Sequence, residues 1–245
     1  IVTVVAGFFM QNPPDGWRPG GWIPTASQTS QRAGHDYTLG QALKTWQWYG
    51  LWLLLFLNTC AGISIISQEA PIFQELDGVS AAVAASMVGL ASIGNAVGRV
   101  FWAWASDLIT RRATFFVMFL IQVLLFWFLP AITSALVMTI VTFVVLMCYG
   151  GGFGTMPAFT ADYFGPKNVG PIYGLMLTAW GFASAFGPLF IAHMREAAGS
   201  YSGALHVIAG VMAVSTLLPV LVRPPRTRDA GTGKLPVGAL PIPHH

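Results

Sequence analysis

Charged residues are scarce in this sequence. Asp, Glu, Lys and Arg make up only 9% of the 245 residues, whereas 55% are hydrophobic and the mean hydropathy is +0.65. An ordinary soluble domain has about 25% charged residues. The composition therefore excludes such a domain and predicts an all-α integral membrane protein in contact with a lipid bilayer.

Cysteine and histidine are also rare, with two and five residues respectively. Cys60 and Cys148 each lie in the middle of an apolar stretch, which predicts no disulfide framework. His193 and His206 lie at the ends of predicted spans, and the spans have neither paired carboxylates nor His and Cys at metal-ligand spacing. We therefore expect no enzyme active site, no metal and no cofactor.

Long apolar runs dominate what is present. A membrane-crossing helix needs about 20 apolar residues. Six stretches have about this length, and we predict spans at residues 46–68, 79–105, 113–132, 134–160, 169–193 and 204–222. Together they make a six-span bundle over residues 46–222.

The segments outside this bundle differ in composition. Residues 1–10 are apolar and are interpreted as the end of a preceding span, and residues 11–45 form a polar, Pro- and Gly-rich connector. Residues 223–245 mix charges with Pro and Gly, which predicts a disordered tail. Since residue 1 is not Met, we expect a C-terminal fragment of a longer chain.

Basic residues indicate the orientation of the spans. They lie singly at the ends of apolar stretches, so the net charge of +3 predicts no nucleic-acid partner. If the connector is cytoplasmic, the inside segments hold ten Lys and Arg residues and the outside loops hold Arg195 alone. The positive-inside rule then predicts a multi-pass protein of the inner (plasma) membrane with a cytoplasmic C-terminus.

Arg99 is the one permanent charge inside a predicted span. Placing an arginine at mid-bilayer costs at least about 2.5 kcal/mol, so its side chain should face protein, water or an anionic ligand. Arg99 precedes Asp107, at the predicted span end, by eight residues, or about 12 Å of helix. At helical spacing it shares one face with Ser92, Asn95, Trp102 and Ser106.

This face predicts a binding site for a small organic anion, with Arg99 and Asn95 as binding residues. A structural role remains open for both. Arg99 could reach the interface, or pair with Asp107 or a backbone carbonyl, and Asn95 could bond to another helix.

Two further features of the spans have open interpretations. A cluster of small residues at the predicted cytoplasmic end of the fourth span predicts either a bending gate or close helix packing, and comprises Gly150, Gly151, Gly152, Gly154 and Pro157. On the first span, Asn58 and Glu69 share a helical face, with Asn58 as a further predicted substrate-binding residue and Glu69 at the predicted outer end. Glu69 could couple transport to protons or could simply be solvated.

The segment from Gly94 to Arg112 resembles the loop motif of the major facilitator superfamily. The shared residues are Gly94, Gly98, Arg99, Asp107, Arg111 and Arg112. The family usually has a basic residue and a glycine where Leu108 and Thr110 stand here. A clamp of Asp107 with Arg111 or Arg112 is still possible and would hold one conformation of a carrier.

Three more segments resemble the oxalate/formate antiporter family, which is related to monocarboxylate transporters. They are residues 12–17 (NPPDGW), 149–165 (YGGGFGTMPAFTADYFG) and 172–175 (IYGL). The resemblance covers nearly the whole chain. It implies the six-helix C-terminal half of a twelve-helix fold, preceded by the end of span six, with the N-terminal half of the same carrier as its partner.

The family also implies roles for residues in the site. Its span-eight arginine, which binds the substrate carboxylate, matches Arg99. Its span-eleven lysine, used for oxalate, aligns with Trp180, which shares a helical face with Tyr173. With one cation instead of two, a monocarboxylate fits better than oxalate. Trp180 could instead be a packing residue.

The expected function is therefore secondary active transport of small carboxylates by alternating access, as antiport or proton-coupled symport. The alternative is a carrier for an unrelated solute in which Arg99 is purely structural. A channel would require a ring of charges or a carbonyl filter, for which the sequence offers little.

Overall fold

The computed structural model describes residues 36–225, except for the side chains of residues 76 and 77. The predicted span end at 1–10, most of the connector and the tail beyond residue 225 lie outside this part. The described chain is helical, and its helices are α1 Leu39–Ala42, α2 Trp46–Asp77, α3 Ala81–Leu108, α4 Arg111–Phe128, α5 Ala135–Phe164, α6 Val169–Met176, α7 Thr178–Ala198, α8 Tyr201–Ser215 and α9 Leu217–Leu221.

Six helical stretches are long and apolar enough to cross a membrane, which confirms the predicted number of spans. The first four stretches contain α2, α3, α4 and α5, one helix each, and a short 3-10 turn at Leu129–Ala131 extends the stretch of α4. The fifth stretch comprises α6 and α7, which are separated at Leu177, and the sixth comprises α8 and α9, which are separated at Thr216.

Capping residues explain several of the helix ends. Ser80 and Thr110 precede α3 and α4, and each side chain accepts a hydrogen bond from the backbone N–H three residues on. Gly78 and Gly199 follow α2 and α7 with φ of 64° and 73°, left-handed values that glycine adopts without strain.

The first span is longer than the sequence predicts. The polar residues around Glu69 and Pro71 suggested an end near residue 68, but α2 continues to Asp77. Two polar side chains of the extended part, Gln68 and Glu75, find partners on other helices. The Tyr201 hydroxyl donates to Gln68 (2.7 Å), and Arg195 donates to Glu75 (2.8 Å).

Helix α5 packs along both α3 and α2, while α7 packs on α2 and α8 on α4. The α3–α5 contact depends on glycines on both helices. A Cβ atom at Gly94 or Gly98 would overlap the carbonyl oxygens of Phe143 or Met147, and one at Gly150 or Gly154 would overlap those of Asn95 or Arg99. Small residues thus let the two backbones touch, as is common between membrane helices.

The two ends of the bundle carry different ion pairs. The Arg111 end contains the starts of α2, α4 and α6 and the C-terminal ends of α3, α5 and α9. Here the last residues of the connector attach to the bundle, with the Tyr37 amide donating to the carbonyl of Phe164 (2.8 Å). The opposite end, with the Arg195–Glu75 pair, is called the Arg195 end.

Candidate functional site

Arg99 lies on α3, about a third of the helix length away from the loop that precedes Arg111, and its side chain is exposed on the bundle. Its guanidinium stands over the ring of Phe153, 5.5 Å from the centroid. The ion pairs within residues 36–225 join Arg111 to Asp107, Arg111 to Asp162, and Arg195 to Glu75. The positive charge of Arg99 is therefore not neutralised by a carboxylate in this part of the chain.

Four aromatic residues from three helices are linked to this guanidinium, either directly or through one another. Tyr149 and Phe153 come from α5, one turn apart, with ring centroids 5.3 Å from each other. Tyr173 comes from α6, and the guanidinium acts electrostatically on both tyrosine hydroxyls. Trp180 from α7 is 49% exposed and its indole faces the Tyr149 hydroxyl. We call these five residues the Arg99 group.

The Arg99 group offers one fixed cation, two phenol hydroxyls and an indole N–H beside apolar ring faces. A guanidinium presents a planar pair of donors that matches a carboxylate. The rings can contact the apolar part of a small acid. This arrangement is suited to an anion with one carboxylate and a small organic body.

The structure thus brings together three residues predicted for the site, namely Arg99, Tyr173 and Trp180. The sequence reasoning did not single out Tyr149 and Phe153. Both lie within residues 149–165, the segment that carries the family resemblance, and they are four residues apart. The spacing put them on one helical face, but nothing in the sequence indicated that this face meets α3.

Asn95 lies one turn before Arg99 and is half-buried. Its carbonyl group and its side-chain Oδ1 both lie against Gly150. Oδ1 is buried and has no hydrogen-bond partner among residues 36–225. The interhelical hydrogen bond through this atom is therefore absent from the described part.

The structure puts Asn58 in the bundle core instead of in the Arg99 group. Its side chain is fully buried, and its Nδ2 donates to the carbonyl oxygens of Cys148 and Tyr149, each at 3.3 Å. Gln122 donates to its Oδ1 at 3.0 Å. Because both amide donors of Asn58 are used, the expected contact with substrate is replaced by a link between α2, α4 and α5.

Arg111 holds three helices together at its end of the bundle. It pairs with Asp107 at the end of α3 (2.5 Å) and with Asp162 on α5 (3.1 Å), and it also donates to the Ser106 hydroxyl. Of the two arginines considered as the partner of Asp107, Arg111 and Arg112, the structure pairs it with Arg111. Because Asp107 pairs with Arg111, it does not neutralise the charge of Arg99.

Arg112 has a different role from its neighbour. Its Nε donates to the carbonyl oxygen of Pro219 (2.8 Å), and its Nη2 donates to that of Val220. These carbonyls belong to α9, so Arg112 fastens the end of the sixth span to the start of α4.

The glycine cluster of α5 lies near the middle of the helix, not at its end. The span was predicted to stop at residue 160, but α5 continues through Pro157 to Phe164. A Cβ at Gly151 would overlap Trp102, and one at Gly152 would overlap the amide of Asn58. These contacts support close packing, which was one of the two interpretations of the cluster.

The solvated interpretation of Glu69 is wrong. Its side chain is only 1% exposed, on the face of α2 that packs against α5. The sequence placed it at the outer end of a span because α2 was expected to stop at residue 68. In the longer helix it lies two turns from the C-terminal end and is covered by neighbouring helices.

An apolar cavity of about 270 Å³ lies elsewhere, between α2, α7 and α8. Its walls include Phe56, Cys60, Phe186, Phe190 and Met212. No charged side chain lines it, so it lacks the group needed to hold an anion.

The sequence matches the Major Facilitator Superfamily at residues 1–156 and at residues 52–242. It is 28% identical over 157 residues to the oxalate:formate antiporter of Oxalobacter formigenes, which covers 62% of this chain and 37% of that protein. It is also 28% identical over 218 residues to apicoplast pyruvate carrier 1 of Toxoplasma gondii, covering 83% of this chain and 39% of that carrier. The chain thus spans less than two-fifths of the length of these relatives.

The family resemblance of the sequence implied six membrane-spanning helices, and the described part of the chain has six helical stretches long and apolar enough for this. The superfamily match extends over most of the same residues. On both grounds the chain belongs to the Major Facilitator Superfamily.

Proposed function

We propose that this chain is the C-terminal half of a secondary carrier for small monocarboxylates, and that Arg99 binds the substrate carboxylate. The observation that carries the proposal is the guanidinium of Arg99, which no carboxylate in residues 36–225 neutralises and which acts electrostatically on the hydroxyls of Tyr149 and Tyr173. A membrane-embedded cation without a protein counter-ion is costly, and a bound anion lowers that cost.

The preference for a monocarboxylate is supported by the residue at position 180. The family resemblance aligns a lysine with Trp180, and in this chain the indole faces Tyr149 instead. A dianion would leave one of its charges without a fixed cation in the Arg99 group, whereas a monoanion is balanced. The two relatives are named for oxalate and formate and for pyruvate, and two of these three acids, formate and pyruvate, are monocarboxylates.

Alternating access requires a partner for this bundle. The spans that contain α3 and α7 are the least buried of the six, which fits an N-terminal half docking on their side. The Arg111 end holds Lys44, Arg111, Arg112, Lys167 and Arg223. By the positive-inside rule this end faces the cytoplasm of a plasma-membrane carrier.

A second candidate is a carrier for an unrelated solute in which Arg99 is structural. The contact that favours it is the stacking of Arg99 on Phe153, because a cation–π interaction holds an arginine without any anion. The two candidates differ in whether the carrier exchanges small carboxylic acids and whether this exchange requires Arg99.

Counterflow in proteoliposomes containing the full-length carrier tests the choice. Vesicles are loaded with unlabelled formate, pyruvate, lactate or oxalate, and the uptake of the labelled acid is followed. We expect exchange of monocarboxylates in the native carrier and its loss in Arg99→Ala. If no acid exchanges, or if Arg99→Ala exchanges at the native rate, the structural candidate is correct.

A further inference from the structure

Glu69 is a carboxyl group buried inside a membrane bundle. Its neighbours on α2 include Ile65, Ile72 and Phe73, all at most 1% exposed. Within residues 36–225, neither carboxyl oxygen accepts a well-formed hydrogen bond. An ionised carboxylate in this position would be buried without a counter-charge, so the neutral acid is the form that fits.

Thr142 is the polar residue that faces this carboxyl group from α5. Its hydroxyl already donates to the carbonyl oxygens of Met138 and Thr139, each at 3.1 Å. A hydroxyl has one proton and two lone pairs. Thr142 can therefore accept a hydrogen bond from a protonated Glu69 but has no second proton to give to a carboxylate.

Among the side chains that the structure describes, no charged group on the helices packed around α2 balances Glu69. The Arg195-end halves of α3 and α5 contain no Asp, Glu, Lys, Arg or His. At the Arg195 end, α7, α8 and the rest of α2 carry other titratable groups. Those with described side chains are His193, Arg195, Glu196, Tyr201, His206 and Glu75. Arg195 is paired with Glu75 and packs over Tyr201 at 4.8 Å, and His206 contacts the carbonyl of Trp127. Within the described residues, none of these groups acts on Glu69, and Thr142 is the polar side chain that does.

The α2–α5 contact connects this carboxyl group to the Arg99 group. The two helices run in opposite directions, with Glu69 facing Thr142 and Gly62 lying against the ring of Tyr149. Glu69 and Gly62 are seven residues apart, which is two turns or about 10 Å. The proton site and the tyrosine that faces Arg99 thus lie along one helix–helix contact.

We propose that Glu69 binds and releases the proton that is carried together with the substrate anion. This rests on the proposed function and names its coupling. No covalent bond of the substrate changes. A proton from water on one side joins the Glu69 carboxylate to give the acid, and the same proton returns to water on the other side.

The charges of Glu69 and Arg99 explain why the proton and the anion would move together. With both bound, the acid is neutral and Arg99 is balanced by the carboxylate of the substrate. With neither bound, the negative Glu69 and the positive Arg99 also sum to zero. With only one bound, the bundle holds a net charge, which is costly in the membrane interior. Conformational change is therefore favoured in the fully loaded and the empty states.

The test uses the full-length carrier in proteoliposomes with labelled pyruvate. Counterflow at equal pH on both sides measures exchange, and accumulation against an imposed pH gradient measures coupling. For one proton per monoanion, one pH unit should give about tenfold accumulation in the native carrier. Glu69→Gln should retain counterflow and reduce the accumulation ratio to one, whereas Glu69→Asp should restore part of it.

Glu196→Gln is the matched control, because Glu196 is an exposed carboxylate at the same end of the bundle. It should accumulate pyruvate like the native carrier. Thr142→Val removes the acceptor of the acid proton, so accumulation should require a more acidic outer pH. Accumulation by Glu69→Gln at the native ratio overturns the proposal, as does native counterflow without any response to pH. Absence of counterflow in the native carrier overturns the proposed function instead.

Discussion

The α3–α5 contact allows a sharp prediction about stability. In Gly98→Ala the new Cβ would overlap the carbonyl oxygen of Met147, with the carbonyl carbon and Cα of Met147 at 2.7 Å. These are backbone atoms, so the helices must separate. Overpacking of this kind costs about 1–3 kcal/mol. The substitution also gains about 0.5–1 kcal/mol of helix propensity, which reduces the net loss to about 0–2.5 kcal/mol.

Gly89→Ala on the same helix is the matched control. A Cβ at Gly89 meets nothing within 4 Å, so this variant keeps the gain in helix propensity without the clash. The two variants should differ in stability by the full overpacking cost of about 1–3 kcal/mol. Thermal unfolding of both variants in the same detergent shows which of the two is more stable. Equal melting temperatures, or a more stable Gly98→Ala, would refute the close contact between α3 and α5.

Two other substitutions test the site and the clamp. Trp180→Lys adds a second cation beside Tyr149, so the transport ratio of oxalate to formate should rise by about tenfold, equivalent to 1.4 kcal/mol. An unchanged ratio in competition assays would contradict the monocarboxylate preference inferred from Trp180. Arg111→Gln removes the ion pairs of Arg111 with Asp107 and Asp162, so the melting temperature in detergent should fall, whereas Lys167→Gln at the same end should have little effect. Equal effects of these two variants would contradict the clamp.

The number of spans could be predicted from the sequence because apolar runs of sufficient length have no other stable environment. The helix ends could not. The polar residues at positions 67–71 have the composition of a loop, yet α2 passes through them because Tyr201 and Arg195, more than 100 residues away, satisfy Gln68 and Glu75. Local composition does not contain that information.

The site was predictable only in part for a similar reason. Helical spacing identified the face of α2 that bears Asn58 and Glu69, but it did not indicate what that face contacts. The structure turns it toward α5, where Asn58 bonds to backbone carbonyls and Glu69 becomes buried. Tyr149 and Phe153 join Arg99 through the register of α3 against α5, which the reciprocal glycine contacts determine.

The most direct test of the central claim is equilibrium binding of pyruvate to the purified full-length carrier, measured by calorimetry. Arg99→Ala is compared with Lys167→Ala, which removes an equal charge from an exposed position at the Arg111 end. Losing a charged hydrogen-bonding partner costs about 1.5–3 kcal/mol, so Arg99→Ala should weaken binding by about 10- to 150-fold while Lys167→Ala binds like the native carrier. Native affinity in Arg99→Ala would contradict the assignment of Arg99 as the carboxylate-binding residue.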